Sequence, residues 1–394
     1  MKTQIHLQKK VDRKKLTIGF VMQSPDFGGA EEYALNLLNS FSVAGHTIIV
    51  AANKSMFHQE AVKNNFIVVP ISHILDIMGN MRGLIKSIFL LPFMTIFYIN
   101  LLKTFNNNHV DIILMSGFSE KLLVTALAPF FSIPVVWIEY GALEEVFKRN
   151  LYIPKLTYML LDLIPYTIIV PTEFTKQRLM SDADVTSAHI TVIPCGTTIP
   201  KSVSDKKSKK FVIGNISRLT REKGQDVLIR AFSLVVKQIP HAKLILVGGG
   251  PDENYYKRLI KNLNLKNNVE MSGFVSNVDV ELKKMDIFVF PTVWKLEGFG
   301  LVTIEAMAHR LPVIASNIGP VPYILDNNVN GVLFKPGDHV DLANKIISLY
   351  LDEKRRNKIA EAGYKKVCKE YSLEIISKKI LVILKEASKN EKNS

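Results

Sequence analysis

Cysteine is nearly missing from this chain of 394 residues. Cys195 and Cys368 lie far apart, in no spacing that would ligate a metal or frame a disulfide scaffold. No zinc site is visible, and a reducing compartment, hence a cytoplasmic one, is the simplest expectation. Acidic residues are also scarce: 36 Asp and Glu face 50 Lys and Arg, leaving a net charge of +14 that calls for an anionic partner. Basic residues interleaved with stacking aromatics, or a reader module for nucleic acid, are not found, so nucleic acid ranks behind phosphorylated substrates and acidic lipid headgroups. The lysine clusters, among them Lys9-Lys10, Lys206-Lys207 and Lys354-Arg355-Arg356, read equally well as solvated faces and tails.

Apolar runs are short. Leu16 to Met22 is too brief for a signal-peptide core and leads into Gln-Ser-Pro-Asp, so export by that route is not expected. Ser87 to Leu102 carries no charge and is flanked by Lys86 and Lys103, but it falls short of the ~20 residues a spanning helix needs, and Pro92 interrupts it. Two readings remain for it: a buried helix of a first domain, or one lying in a membrane surface with lysines at its ends.

What is present is a repeated alternation of strand and helix. Short apolar segments at 16–22, 47–52, 66–70, 110–115, 134–138, 166–170 and 190–193 alternate with helical spacing such as Ala30 to Ala44. Ile199 to Lys210 is Pro, Ser, Lys and Asp with almost no apolar content, a linker. The pattern then restarts, with strands at 211–216, 243–247, 269–271, 286–290, 312–315 and 332–334, and reads as helical from Asp341 to near the end. Such alternation implies crossovers and an α/β fold: two doubly wound parallel-sheet, Rossmann-like domains facing a cleft. The division expected is 1–200, a linker 201–210, a second domain 211–370, and a C-terminal helix with a polar tail at 371–394. Ligands in such sheets bind outside the carboxyl ends of the strands.

Three stretches fall at those ends. Glu297-Gly298-Phe299-Gly300-Leu301, with Glu305 beyond it, joins a buried strand to an Ala-rich helix. Its glycines allow close backbone approach, and the helix start offers unpaired N–H groups to an anion such as phosphate. Glu305 either accepts from sugar hydroxyls or merely complements the helix N-terminus, and Glu297 either faces the crevice or is a solvated loop residue. Ser217 to Gly224 contains Arg218 and Lys223 just before a helix: a diphosphate clamp, or a basic surface turn. Gly28 and Gly29 open the first helix, but Gly-x-Gly-x-x-Gly is missing, and Gly248-Gly249-Gly250 is followed by Pro251, so neither is a dinucleotide fingerprint.

Taken together, Gly28-Gly29-Ala30-Glu31, Arg218 with Lys223-Gly224, Val247 to Asp252, Gly273-Phe274-Val275, Glu297 to Glu305, and Pro312 to Ser316 with Asn330-Gly331-Val332 resemble the retaining glycosyltransferases of family four, whose fold is GT-B. The resemblance is strong over about 211–340 and looser, though in the right order, over 16–200. It implies transfer of a sugar from a nucleoside-diphosphate donor to an acceptor hydroxyl with retention, usually with no metal; beyond that co-substrate no cofactor is implied. By the same resemblance Arg218 and Lys223 would hold the diphosphate, Glu305 the ribose and Glu297 the sugar hydroxyls, with the backbone of Phe299, Gly300 and Leu301 orienting sugar and phosphate. Phe274 and Val275 would receive the base, and Gly28 and Gly29 would close on the phosphates from the other domain. Where family members often carry a sugar-reaching histidine, this chain has Trp137-Ile138-Glu139-Tyr140-Gly141; Tyr140 would then donate in its place, or simply pack at a strand end. The favoured acceptor is a lipid-linked saccharide in cell-surface polysaccharide or glycolipid assembly, with the positive charge meeting the anionic inner face of the membrane. A soluble glucan or small metabolite as acceptor, and a non-catalytic sugar-nucleotide or glycan binder, are the other readings.

Overall fold

A computed structural model gives the fold and describes residues 15–24, 27–71, 81–141, 143–201, 210–275 and 277–390. The lysines and arginine at 9–14, those at 206–209, most of the expected linker and the last four residues of the tail lie outside the described residues. Seven strands, β1 (Thr17–Met22), β2 (Thr47–Asn53), β3 (Ile67–Ile71), β4 (Ile112–Met115), β5 (Val135–Ile138), β6 (Thr167–Val170) and β7 (Ile190–Val192), form one sheet in the order β3-β2-β1-β4-β5-β6-β7. Six more, β8 (Val212–Ile216), β9 (Lys243–Val247), β10 (Val269–Gly273), β11 (Ile287–Phe290), β12 (Val313–Ser316) and β13 (Val332–Phe334), form a second in the order β10-β9-β8-β11-β12-β13. Neighbouring strands pair in parallel, for instance Ile18 with Ile48 on one side of β1 and with Ile112 on the other.

Parallel strands buried on both faces read as continuous apolar runs, and alternate residues feed different cores. In β1, Ile18, Phe20 and Met22 join the core beneath the Gly29–Val43 helix, while Val21 joins the opposite core beneath the Met81–Asn107 helix. In both sheets the order reverses between the first strand and the fourth, β1 beside β4 and β8 beside β11. Those are the crevices where an open α/β sheet accepts a ligand.

The expected strands are all present with ends shifted by a residue or two, whereas the Met56–Lys63, Ile153–Leu161 and Glu173–Ala183 helices were not anticipated. Two expectations are corrected. Pro92 does not interrupt the Ser87 to Leu102 stretch, which lies within a single helix of 27 residues. Nor is that helix simply buried: Leu84, Ser87, Met94, Tyr98, Leu101, Leu102 and Phe105 face the core, and the opposite side is exposed. The final helix, Leu373–Asn390, crosses back to the first domain, where Ser40 and Ser377 join their hydroxyls at 2.8 Å. Thr197 ties this return to the chain's first crossing, donating from N–H to the Tyr371 carbonyl and accepting from Leu373, each at 2.8 Å.

Candidate active site

The second domain builds its site by stitching two loops together. Gly224 has φ 70°, and a Cβ there would sit 2.0 Å from the Pro291 carbonyl oxygen, so only glycine lets the Gln225–Gln238 helix start this close to the end of β11. The Glu222 carbonyl then accepts from Val293 N–H at 2.9 Å and lies 3.1 Å from the Thr292 hydroxyl. This presents Lys223 to Glu297. The ammonium Nζ donates to Oε1 and Oε2 of Glu297, both at 2.8 Å, and Thr292 Oγ1 stands 3.1 Å from Oε2. An ammonium has three donors and a carboxylate about four acceptor positions, so each group keeps capacity for one more partner. Glu297 is buried and is no solvated loop residue. Arg218 is exposed just upstream, its loop held by Gln225 Nε2, which donates to the Arg218 carbonyl at 2.8 Å and to Ser217 Oγ at 2.7 Å.

Gly300, at φ 77°, caps the Leu301–Ala308 helix, and Phe299 is buried against Tyr371 with ring centroids 6.0 Å apart. Across the cleft Gly28 caps the Gly29–Val43 helix, with Glu31 Oε2 accepting from its N–H at 2.9 Å and Oε1 accepting from Ser24 Oγ at 2.7 Å. Glu31 is thereby a cap. A Cβ on Gly29 would lie 3.8 Å from Leu301 Cδ1, so the two helix starts confront one another.

Between them opens a cavity of about 290 Å³, lined by Gly29 and Glu32 of the first domain, Thr197 and Thr198 of the crossing, and Asp279 and Glu305 of the second domain. Burial, reinforced by the negative charges of Glu32 and Asp279, pushes the Glu305 carboxyl up to about 8. The Glu32 carboxyl is raised too, by burial and then by Asp279. In the unliganded protein Glu305 therefore holds its proton at neutral pH and can both donate and accept.

Phe274 is exposed and Val275 packs on the core, and just beyond them Asn277, Val278 and Asp279 line the cavity. Tyr140 does not turn its hydroxyl into the cleft. That oxygen is buried, burial holds the phenol well above its ordinary range, and the ring packs edge-on against Tyr33 at 5.6 Å. Its neighbour Glu139 is likewise spent inside the domain, 2.5 Å from the Lys121 ammonium and 3.1 Å from the Tyr158 hydroxyl, both of which donate to it. Gly28, Gly29, Lys223, Glu297, Gly300, Leu301 and Glu305 all sit on the loops and helix starts bordering the cleft.

Sequence reasoning missed Trp294, Thr292, Glu32 and Asp279. Trp294 bridges the domains, its indole Nε1 3.4 Å from Glu145 Oε1 and its ring 5.6 Å from the Lys223 ammonium. An aromatic in the short segment between β11 and Glu297 was the available signal; Glu32 and Asp279 offered none, because only the fold sets them opposite Glu305. Among the described residues no group of three or more His, Cys, Asp or Glu side chains is arranged to hold a metal ion.

Residues 27–199 match the family described as Glycosyltransferase Family 4, and residues 198–366 that described as Glycosyl transferases group 1. The chain is 34% identical over 196 residues to an uncharacterised glycosyltransferase of Methanocaldococcus jannaschii, covering 46% of this chain and 48% of the relative, so it spans about half the relative's length. It is 27% identical over 331 residues to the capsular polysaccharide biosynthesis glycosyltransferase CapM of Staphylococcus aureus, over 78% of this chain and 82% of the other. HepE of Anabaena, solved in complex with UDP, superposes with a TM-score of 0.80 at 20% identity, over 94% of this chain and 100% of that one. The chain belongs to the glycosyltransferases of the GT-B fold, its first half homologous to family 4 and its second to group 1.

Proposed function

We propose that the chain is a retaining glycosyltransferase that moves a sugar from a nucleoside diphosphate to a hydroxyl of a lipid-linked or cell-surface polysaccharide intermediate. The observation that carries this reading is the Lys223–Glu297 pair at the mouth of β8 and β11, with one donor and one acceptor position left over. In this reading the spare Lys223 N–H, with Arg218, meets the diphosphate as negative charge builds on the leaving oxygen. Glu297 accepts from a donor-sugar hydroxyl, and Glu305 meets the ribose. The bond from the anomeric carbon to the phosphate oxygen breaks, the bond to the acceptor oxygen forms on the same face, and the acceptor proton leaves with the diphosphate. Protein cations take the part that a metal plays in other transferases. UDP in HepE supports a nucleotide in this cleft, and the name of CapM supports a polysaccharide acceptor.

A thermal-shift series against nucleoside diphosphates and their sugars tests the donor half, since a ligand of the native state raises its apparent stability. A shift with one base over the others is expected. A flat response to all of them would sink the reading in favour of a non-catalytic binder.

A further inference from the structure

We propose that the outer side of the Met81–Asn107 helix, with the exposed apolar side of the Ile153–Leu161 helix, seats the first domain on an anionic lipid bilayer. Seven positions at helical spacing make one outward stripe: Arg82, Ile85, Phe89, Phe93, Ile96, Asn100 and Lys103. Phe89 is 77% exposed and Phe93 70%. Core-facing Leu84, Met94, Tyr98 and Leu101 lie on the opposite side of the same helix. On the same face of the sheet the Ile153–Leu161 helix exposes Leu156 and Leu160, the latter at 77%, with Leu163 just beyond. Soluble monomers rarely leave an apolar stripe such as that of the Met81–Asn107 helix exposed without a use.

Charge identifies the occupant. The Met81–Asn107 helix carries Arg82, Lys86 and Lys103 and no acid. Asp162, the acid that follows the second helix, is buried. Lys155 on that helix is already 3.8 Å from Asp184, so the complementarity rests on the first. An apolar stripe ended by cations fits a membrane interface, where aromatic and aliphatic groups enter the acyl boundary and lysines reach back to acidic headgroups. Two copies stacking this stripe would instead bring cation against cation at both ends. By length and composition the helix could cross a bilayer, yet it cannot do so here. It is the crossover from β3 to β4, and β4 pairs with β1 at the centre of the sheet. It lies on the membrane rather than through it.

This surface would bring the cleft to a lipid-linked acceptor, so it extends the proposed function, but its test needs neither donor nor acceptor. The full chain is sedimented with vesicles of phosphatidylcholine alone and with phosphatidylglycerol added, at low and high salt. Binding to the anionic vesicles is expected, weaker in salt, with Phe89→Ser/Phe93→Ser lowering the partition at least about tenfold, since two apolar rings no longer enter the acyl boundary. Lys86→Glu/Lys103→Glu should remove the preference for phosphatidylglycerol, and unchanged circular-dichroism melts would show both variants folded. The proposal is overturned if the parent stays in the supernatant, if the serine variant sediments like the parent, or if that variant only converts a dimer to a monomer. Loss of docking with donor binding intact would leave the transferase reading standing.

Discussion

Gly298 and Tyr140 meet backbone to backbone across the cleft: a Cβ on Gly298 would lie 2.7 Å from the Tyr140 carbonyl oxygen. The fit is mutual, because a Cβ on Gly141 would lie 3.1 Å from the Gly298 Cα. The distance between the domains at this point is therefore limited by glycine. Gly298→Ala should push the loop that carries Glu297 away from the first domain while leaving each core intact. A displacement near 1 Å at a reacting centre can cost on the order of 10²-fold in rate. Steady-state kinetics should show that loss in kcat/KM, with nucleotide affinity measured by calorimetry falling less. Parent-like turnover would mean that this approach is not needed for transfer.

The Lys223–Glu297 pair carries an asymmetric prediction. The Glu297 side chain is the more buried of the two, 8% exposed against 22% for Lys223. Lys223→Ala therefore leaves a carboxylate in a poorly hydrated place with Thr292 for support, and should cost about 1–3 kcal/mol of stability as well as transfer. Removing both charges with Lys223→Met/Glu297→Leu should recover most of that stability and none of the activity, because a buried pair often does little better than apolar groups of similar volume. Thermal melts beside initial rates separate the two effects. A double variant less stable than Lys223→Ala would contradict the burial argument.

Glu305 sets a pH dependence whose sign can be worked out. Its carboxyl ordinarily titrates near 4.5 and is pushed up to about 8 here, so between those values the folded state keeps a proton that the unfolded chain has lost. Stability is then free of this penalty below the unfolded value and declines as pH rises toward about 8. Glu120, buried and raised to about 7, adds a slope of the same sign. The melting temperature of the unliganded protein should therefore fall from mildly acidic to mildly alkaline pH. Glu305→Gln, which cannot ionise, should flatten part of that fall. An unchanged slope would show that Glu305 is not held in a desolvated, acid-lined cavity.

Much of this was legible from local pattern. Strands such as Lys243–Val247 and Val332–Phe334 were read to the residue, because buried parallel strands are apolar throughout and are bounded by turn residues. The positions of Lys223, Glu297 and Glu305 at strand ends followed from the same alternation. What could not be read was set by distance in the chain. Ser377 meets Ser40 only because the last helix returns to the first domain, and Glu32 meets Asp279 and Glu305 only across the cleft. The choice between the two readings of the long helix was not legible for a different reason: Phe89 and Phe93 are apolar in a stretch with core composition, and composition does not say which side of a helix the core lies on.

Tyr140 is where the two readings of a strand-end tyrosine separate most cleanly. Its ring lies against Tyr33, and its hydroxyl is buried beside the Cys195 thiol and Ser116, away from the cavity that holds Glu305. Only its backbone, through the contact with Gly298, reaches the cleft. Tyr140→Phe should keep transfer within about twofold of the parent, since a buried hydroxyl without a well-formed hydrogen bond contributes little, roughly 1 kcal/mol or less. Tyr140→Ala should instead destabilise the first domain by about 3 kcal/mol, the ordinary cost of removing a buried ring. It should also lower transfer, because the backbone facing Gly298 loses its support. Kinetics of the phenylalanine variant on the preferred donor decide the matter: a drop of a hundredfold or more, on the order of losing a group that stabilises the transition state, would show the hydroxyl swinging out to the sugar when the donor binds.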